Sequence, residues 1–286
     1  MISIGNIHIQ EEYFPDGTPK LLNIPLDEII EDAAFDDCNT FTIIWKFEDI
    51  AEQILLYNIV SYLRDTVLSP EIELFLPYVP NARMDRVKNE NEAFTLKYFA
   101  KFINDLKFQR VVVLDPHSDV SAALIDRVCV LAPEAYIARV IDETKPDIIC
   151  FPDAGSLKRY SDMFTNMVAD GVNLIPRVYC DKIRDWKTGH LLGMCVNHNI
   201  DISLEGKNVL IVDDLCSRGG TFAMCANELK KLGVNEINLW ITHCENTIFS
   251  GVLLSENSPI TKIYTTDSLA HADHNKIDTY RVGIEL

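Results

Sequence analysis

The sequence predicts an α/β protein of two domains, each a mainly parallel sheet flanked by helices. Three observations predict it. Apolar strand-like runs alternate with amphipathic helical stretches along most of the chain. The length of 286 residues corresponds to about two domains. The hydrophobic content of 48% is ample for two cores. In the first half, 41–47 (FTIIWKF) reads as a strand. A helix is expected over 48–66, with Ile50, Ile54, Leu55, Ile59 and Leu63 at helical spacing. Strand 71–76, helix 94–106, strand 110–115 (RVVVLD) and a helix over 120–128 follow. In the second half, strand 148–151 leads into helix 156–169, and strands near 175–179 and 191–196 flank a polar loop. Strand 209–213, helix 220–232 and strand 236–242 complete the alternation. The boundary is expected near 139–146, giving domains 1–140 and 141–286. The last strand-like piece, 280–285, is expected to cross back to the first domain. No internal repeat or low-complexity tract interrupts the pattern.

The formal net charge is −17. That argues against nucleic acid as a partner, because a phosphate backbone is bound by positive surface. It argues equally against docking on anionic membranes. No apolar run approaches the ~20 residues that span a bilayer. A phosphorylated ligand would be held locally, by loops, a few cations and metal, against a repulsive overall field. The eight cysteines (Cys38, Cys129, Cys150, Cys180, Cys195, Cys216, Cys225 and Cys244) are scattered and form no C-x-x-C pair. With no signal-peptide pattern behind Met1, a reduced, cytoplasmic protein is expected.

The stretch 209–222 reads VLIVDDLCSRGGTF. Four apolar residues, typical of a buried parallel strand, run into Asp213 and Asp214. Ligands of open α/β sheets bind beyond the carboxyl ends of the strands, so both acids are expected at the ligand edge. The loop Leu215, Cys216, Ser217, Arg218, Gly219, Gly220 and Thr221 is expected to wrap an anion with backbone N–H groups at a helix N-terminus. Paired carboxylates beside a phosphate cradle suit ribose 5-phosphate, the acids taking its 2- and 3-hydroxyls. A plain βα turn, with Asp as N-cap and Gly for the bend, is the bland alternative. The whole pattern resembles the phosphoribosyl diphosphate (PRPP) binding motif of type I phosphoribosyltransferases and PRPP synthetases. The resemblance implies two phosphoribosyltransferase-like domains.

A second constellation, 181–188 (DKIRDWKT), gathers Lys182, Arg184 and Lys187 in an otherwise acidic chain. In an extended loop Lys182 and Arg184 project to one side. Two cations reaching one point suit a phosphoryl-transfer transition state, although a solvated hairpin also carries such charges. The segment resembles the K-R-R core of the catalytic loop of PRPP synthetases, with Ile183 in the middle place. By that resemblance, Lys182 and Arg184 are the catalytic cations.

Upstream, 76–86 (LPYVPNARMDR) is similar to the ATP-contacting P-Y-x-x-x-x-R-Q-D-R segment of the same family through Pro77, Tyr78, Arg83, Asp85 and Arg86, with Met84 in place of Gln. The run 114–118 (LDPHS) is similar to the family's D-L-H strand end, with Pro116 in place of Leu. His117 there matches a nucleotide and Mg2+ ligand. The turn 151–156 (FPDAGS) resembles S-P-D-x-G-G, with Asp153 matching a metal-associated carboxylate and Ser156 replacing the second Gly. By itself it is a common helix-capping turn. Near the N-terminus, 14–18 (FPDGT) resembles F-x-D-G-E, which reaches a neighbouring subunit's ATP site through Phe14 and Asp16; Thr18 replaces the acid. Thr242-His243 and Phe249-Ser250-Gly251 resemble T-H…F-S-G.

Together these resemblances imply a ribose-phosphate diphosphokinase. It would transfer the diphosphoryl group of ATP to ribose 5-phosphate, use Mg2+, and work as a homo-oligomer. A phosphoribosyltransferase acting on a base, or a non-catalytic regulator of an active synthetase, are the alternatives.

Overall fold

The computed structural model of the chain describes residues 1–10, 12–21, 24–35, 40–169, 171–184, 191–197, 202–269 and 273–283. It divides into two compact units. One is Met1–Leu131 with a short stretch beginning at Ser268; the other is the remainder.

The first unit holds β1 (Ile2–Ile4), β2 (Ile7–His8), β3 (Glu12–Tyr13), β4 (Pro19–Lys20), α1 (Leu26–Phe35), β5 (Thr40–Trp45), α2 (Glu52–Thr66), β6 (Glu71–Leu76), α3 (Thr95–Asp105), β7 (Arg110–Leu114), α4 (Asp119–Leu124) and β8 (Val128–Leu131). Its sheet runs β2-β1-β5-β6-β7-β8. Strands β5 to β8 are parallel, and β1 and β2 add an antiparallel edge. In β5, Phe41, Ile43 and Trp45 are buried while the residues between them are less so. Each such side chain contributes about 1.5–3 kcal/mol when fully buried. The strands β3 and β4 form a separate small hairpin.

The second unit holds α5 (Glu134–Thr144), β9 (Ile148–Phe151), α6 (Ala154–Ala169), β10 (Arg177–Arg184), β11 (Leu191–Asn197), β12 (Asn208–Cys216), α7 (Gly220–Lys231), β13 (Glu236–Cys244), β14 (Lys262–Thr266) and β15 (Ile277–Tyr280). Its sheet runs β11-β10-β9-β12-β13-β14-β15, parallel except at β11. At its centre, Val209, Leu210, Ile211 and Val212 are all buried, as a strand covered on both faces requires.

Several elements differ from the sequence expectation. The division falls after Leu131, ahead of 140/141, because 134–144 is a helix of the second unit rather than a linker. Tyr136, Ile137, Val140 and Ile141 give α5 its buried stripe, and Tyr136 stacks on Trp240. Lys145, at φ 45°, ends it in the left-handed region, with Pro146 following. Of the piece expected at 280–285, only Tyr280 belongs to a described strand, and 284–285 lie outside the described residues. Strand β15 pairs in parallel with β14, because the apolar residue at 277 and the ring of Tyr280 pack within the second unit's own core. Strand β12 runs three residues beyond Asp213.

Candidate active site

Strand β12 carries both acids within the sheet. It pairs with β13 through Asp213↔Ile241, Leu215↔His243 and Cys216↔Cys244. The expected cradle at 215–221 is therefore shorter than its sequence: Leu215 and Cys216 belong to the strand, 217–219 form the turn, and Gly220 and Thr221 open α7. Gly219, at φ 75°, supplies the left-handed residue before the helix, a conformation costly for other side chains. The turn is fastened on its outer side. The Glu245 N–H donates to the Cys216 carbonyl at 2.9 Å, and the Val252 N–H to that of Arg218 at 3.3 Å. The hydroxyls of Ser217 and Thr247 lie 2.8 Å apart. These contacts hold the backbone N–H groups of 217–221 at a helix N-terminus, a geometry suited to an anion.

Asp214 is buried, and the guanidinium of Arg159, from α6, pairs with it at 3.0 Å. Asp213 accepts the N–H of Asp214 at 3.0 Å. Burial, then the charge of Asp214 and, more weakly, that of Asp153, push the Asp213 carboxyl well above the usual carboxylate range. A carboxyl raised by its carboxylate neighbours belongs to an oxygen donor set of the kind a hard divalent cation neutralises. Asp153 also caps α6: its Oδ1 accepts the N–H groups of Gly155 and Ser156, each at 3.0 Å. Ser156 Oγ lies 3.3 Å from the Asp153 N–H, completing a reciprocal cap. The capping function of this turn is thus present, and it fixes the carboxylate beside the strand that carries the acids.

The cation loop is described only in its backbone. Lys182 pairs with Met194, Ile183 with Gly193 and Arg184 with Leu191 across β10 and β11, with a register irregularity between Ile183 and Arg184. The irregularity falls at Leu192, which β11 passes over between its pairings with Ile183 and Arg184. Lys187 lies outside the described residues.

In the first unit, the loop after β6 and the turn after β7 meet. Arg86 Nε donates to Asp85 Oδ1 at 3.0 Å. Partial burial raises the Asp85 carboxyl, but the hydrogen bond and charge of Arg86, joined by the charge of nearby His117, outweigh it and hold the group below its ordinary value. Arg83 and Arg86 are exposed, and His117 is half-buried behind the buried Asp115. Phe14 and Asp16 form the tip of the β3–β4 hairpin. The N–H and hydroxyl of Thr18 donate to Asp16 Oδ1 at 3.0 and 2.7 Å, and the Thr18 contacts lower the Asp16 carboxyl. The Lys20 ammonium sits 4.8 Å from the Phe14 ring centre.

No family model matches the chain. Curated relatives do. A ribose-phosphate pyrophosphokinase of Saccharolobus solfataricus is 28% identical over 244 residues, 78% of this chain and 79% of the relative. Another, of Corynebacterium ammoniagenes, is 26% identical over 282 residues, 97% of this chain and 82% of the relative. The chain is a homologue of the ribose-phosphate pyrophosphokinases. The crystal structure of phosphoribosylpyrophosphate synthetase from Mycobacterium smegmatis shares the fold, with a TM-score of 0.63 at 19% identity, covering 80% of this chain and 73% of that one.

Within this pyrophosphokinase homologue the fold gathers Asp153, Asp213 and Asp214 with 217–221 in one unit, and Asp85, Arg86 and His117 in the other. The sequence reading missed Arg159. A lone cation on an amphipathic helix looks like a solvated face, and its only signal is that the helix begins at the Asp153 turn. It also missed the part played by Gly251, whose backbone lies against Arg218.

Proposed function

We propose that this chain is a ribose-phosphate diphosphokinase, converting ATP and ribose 5-phosphate to PRPP and AMP. One observation carries the reading: pyrophosphokinase relatives align over as much as 97% of the chain, so both α/β units are accounted for. The phosphate of the sugar is held by the N–H groups of 217–221 and the N-terminus of α7. Asp213 and Asp214 accept its 2- and 3-hydroxyls, with Asp214 oriented by Arg159. Arg83, Arg86, Phe14, Asp16 and His117 take the nucleotide, and Asp85 holds Arg86 in place.

The anomeric oxygen attacks the β-phosphorus of ATP. The new oxygen–phosphorus bond forms as the bond from that phosphorus to the α-bridging oxygen breaks, and AMP departs. Lys182 and Arg184 offset the negative charge growing on the equatorial oxygens. Catalysis is mainly positioning and electrostatics. Mg2+ bound with ATP would further neutralise the phosphate oxygens; His117 in the first unit and, separately, Asp153 in the second are the proposed metal-binding residues. A homo-oligomer belongs to the same reading, supported by the half-exposed Phe14 at the tip of its hairpin. So does a cytoplasmic setting, supported by the seven free cysteines among the described residues. Among those residues, no helix is long and apolar enough to cross a membrane.

The test is AMP release from MgATP with and without ribose 5-phosphate. AMP formed only with the sugar supports the reading. No AMP, together with diphosphate released from PRPP and a base, would replace it with the transferase.

A further inference from the structure

The second unit contains a cluster that the proposed reaction does not use. Cys150 on β9 and Cys180 on β10 share one sheet face, and Cys225 on α7 covers them. All three are fully buried. Their sulfurs lie 4.0 Å (Cys150–Cys180), 3.7 Å (Cys150–Cys225) and 3.1 Å (Cys180–Cys225) apart. Among the described residues this is the one group of three or more potential ligands close enough to hold a metal ion together.

We propose that Cys150, Cys180 and Cys225 form a three-thiolate site for a soft, thiophilic cation of the Zn2+, Cd2+ or Cu+ class. Geometry supports it. A metal–sulfur bond of about 2.3 Å gives sulfur–sulfur edges of about 3.8 Å in tetrahedral and about 4.0 Å in trigonal coordination. Two of the three edges already match. The third is shorter than a metal edge but far longer than the ~2.05 Å of a disulfide. Charge supports it as well. The acidic groups of Glu228 and Asp181 act on Cys180, a negative field that a cation offsets. All-sulfur ligation in an apolar core selects soft ions over Mg2+. Binding is ligand exchange without redox change: three S–H protons leave to solvent as three metal–sulfur bonds form. The position has a consequence. Strand β9 leads to the Asp153 turn, β10 leads to Lys182, and α7 begins at the 217–219 turn. One ion would pin together the strand that ends at the Asp153 turn, the strand that carries Lys182 and the helix that begins at the 217–219 turn.

The probe is Cd2+, titrated into the reduced, full-length protein with Mg2+ in excess so that oxygen sites are filled. The expected result is a saturable thiolate-to-metal charge-transfer band at one ion per chain, with a Tm that rises as Cd2+ exceeds its Kd. Cys225→Ser should weaken binding by more than the ~10–100-fold that loss of an outer-shell partner costs. Cys195→Ser, at an exposed cysteine, should leave it unchanged. If Cys225→Ser fails to fold, Cys150→Ser takes its place, and the wild-type titration still decides. No saturable band in the wild type, a band that survives loss of a cluster cysteine in a folded variant, or binding carried by Cys195 would overturn the proposal.

Discussion

Replacing Gly251 by alanine adds a single methyl group where the chain has least room for it. The new carbon would overlap the carbonyl oxygen of Arg218 and lie 2.8 Å from its carbonyl carbon and 2.9 Å from its Cα. An ordinary close carbon–oxygen contact is about 3.3 Å, so one backbone must retreat by about 1 Å. Both partners are main chain, and no side-chain rotation relieves the overlap. Gly251 itself has φ −98°, open to any residue, so the effect is one of space alone. Arg218 belongs to the turn proposed to hold the phosphate, and its carbonyl also accepts the Val252 N–H. Overpacking of this kind costs about 1–3 kcal/mol, and a ~1 Å misplacement at a reacting site can cost ~10²-fold in rate. The assay is AMP release with ribose 5-phosphate varied at saturating MgATP. In Gly251→Ala, kcat/KM for the sugar should fall by about 10²-fold with little change in the KM for ATP. Gly193→Ala, where a methyl meets nothing within 4 Å, should behave as wild type. Wild-type kinetics in a folded Gly251→Ala protein would refute the reasoning.

Lys182→Ala should lower turnover by ~10²–10³-fold, the usual effect of removing a transition-state donor, while calorimetry shows ribose 5-phosphate binding nearly unchanged. Arg159→Met leaves the buried Asp214 without its cation. It should cost about 3 kcal/mol in urea unfolding, the low end for a broken buried pair because Arg159 is partly exposed, and it should raise the KM for the sugar. The raised Asp213 carboxyl works in the opposite sense. Its contribution to stability is full below the ordinary carboxylate range and is lost as pH climbs through its folded value, each unit of elevation being worth about 1.4 kcal/mol. Asp213→Asn should therefore flatten the fall of the ligand-free Tm with rising pH. An unchanged Tm–pH slope in that variant would contradict the assignment.

The fold class of this chain is legible in its sequence, and the bounds of its elements are less so. The Asp213–Thr221 segment is legible because apolar run, acids and glycines each mean something at fixed spacing, and the fold delivers them as a strand, a turn and a helix start. The extent of the strand was hidden, because two adjacent acids look like the end of a buried run. They remain inside it because Arg159 pairs with Asp214 and the raised proton affinity of Asp213 makes its burial tolerable. The boundary expected near 139–146 falls on helix α5, whose charged residues Arg139, Asp142, Glu143 and Lys145 mask the four apolar residues that decide its packing. The Cys150, Cys180 and Cys225 cluster has no local signature, because sheet topology alone brings positions 30 and 75 residues apart together. Gly251 sits in a recognisable Phe-Ser-Gly triplet, yet only the approach of Arg218 explains why the third residue lacks a side chain.

If Asp213 and Asp214 take the sugar hydroxyls as proposed, their place on a hydrogen-bonded strand bears on how a sugar is chosen. A pair mounted on a loop can bend toward whichever pentose arrives; a pair stitched into a ladder cannot. Discrimination between epimers is then built during folding, before any encounter, and the entropy of arranging the hydroxyl acceptors is spent once per molecule rather than once per turnover.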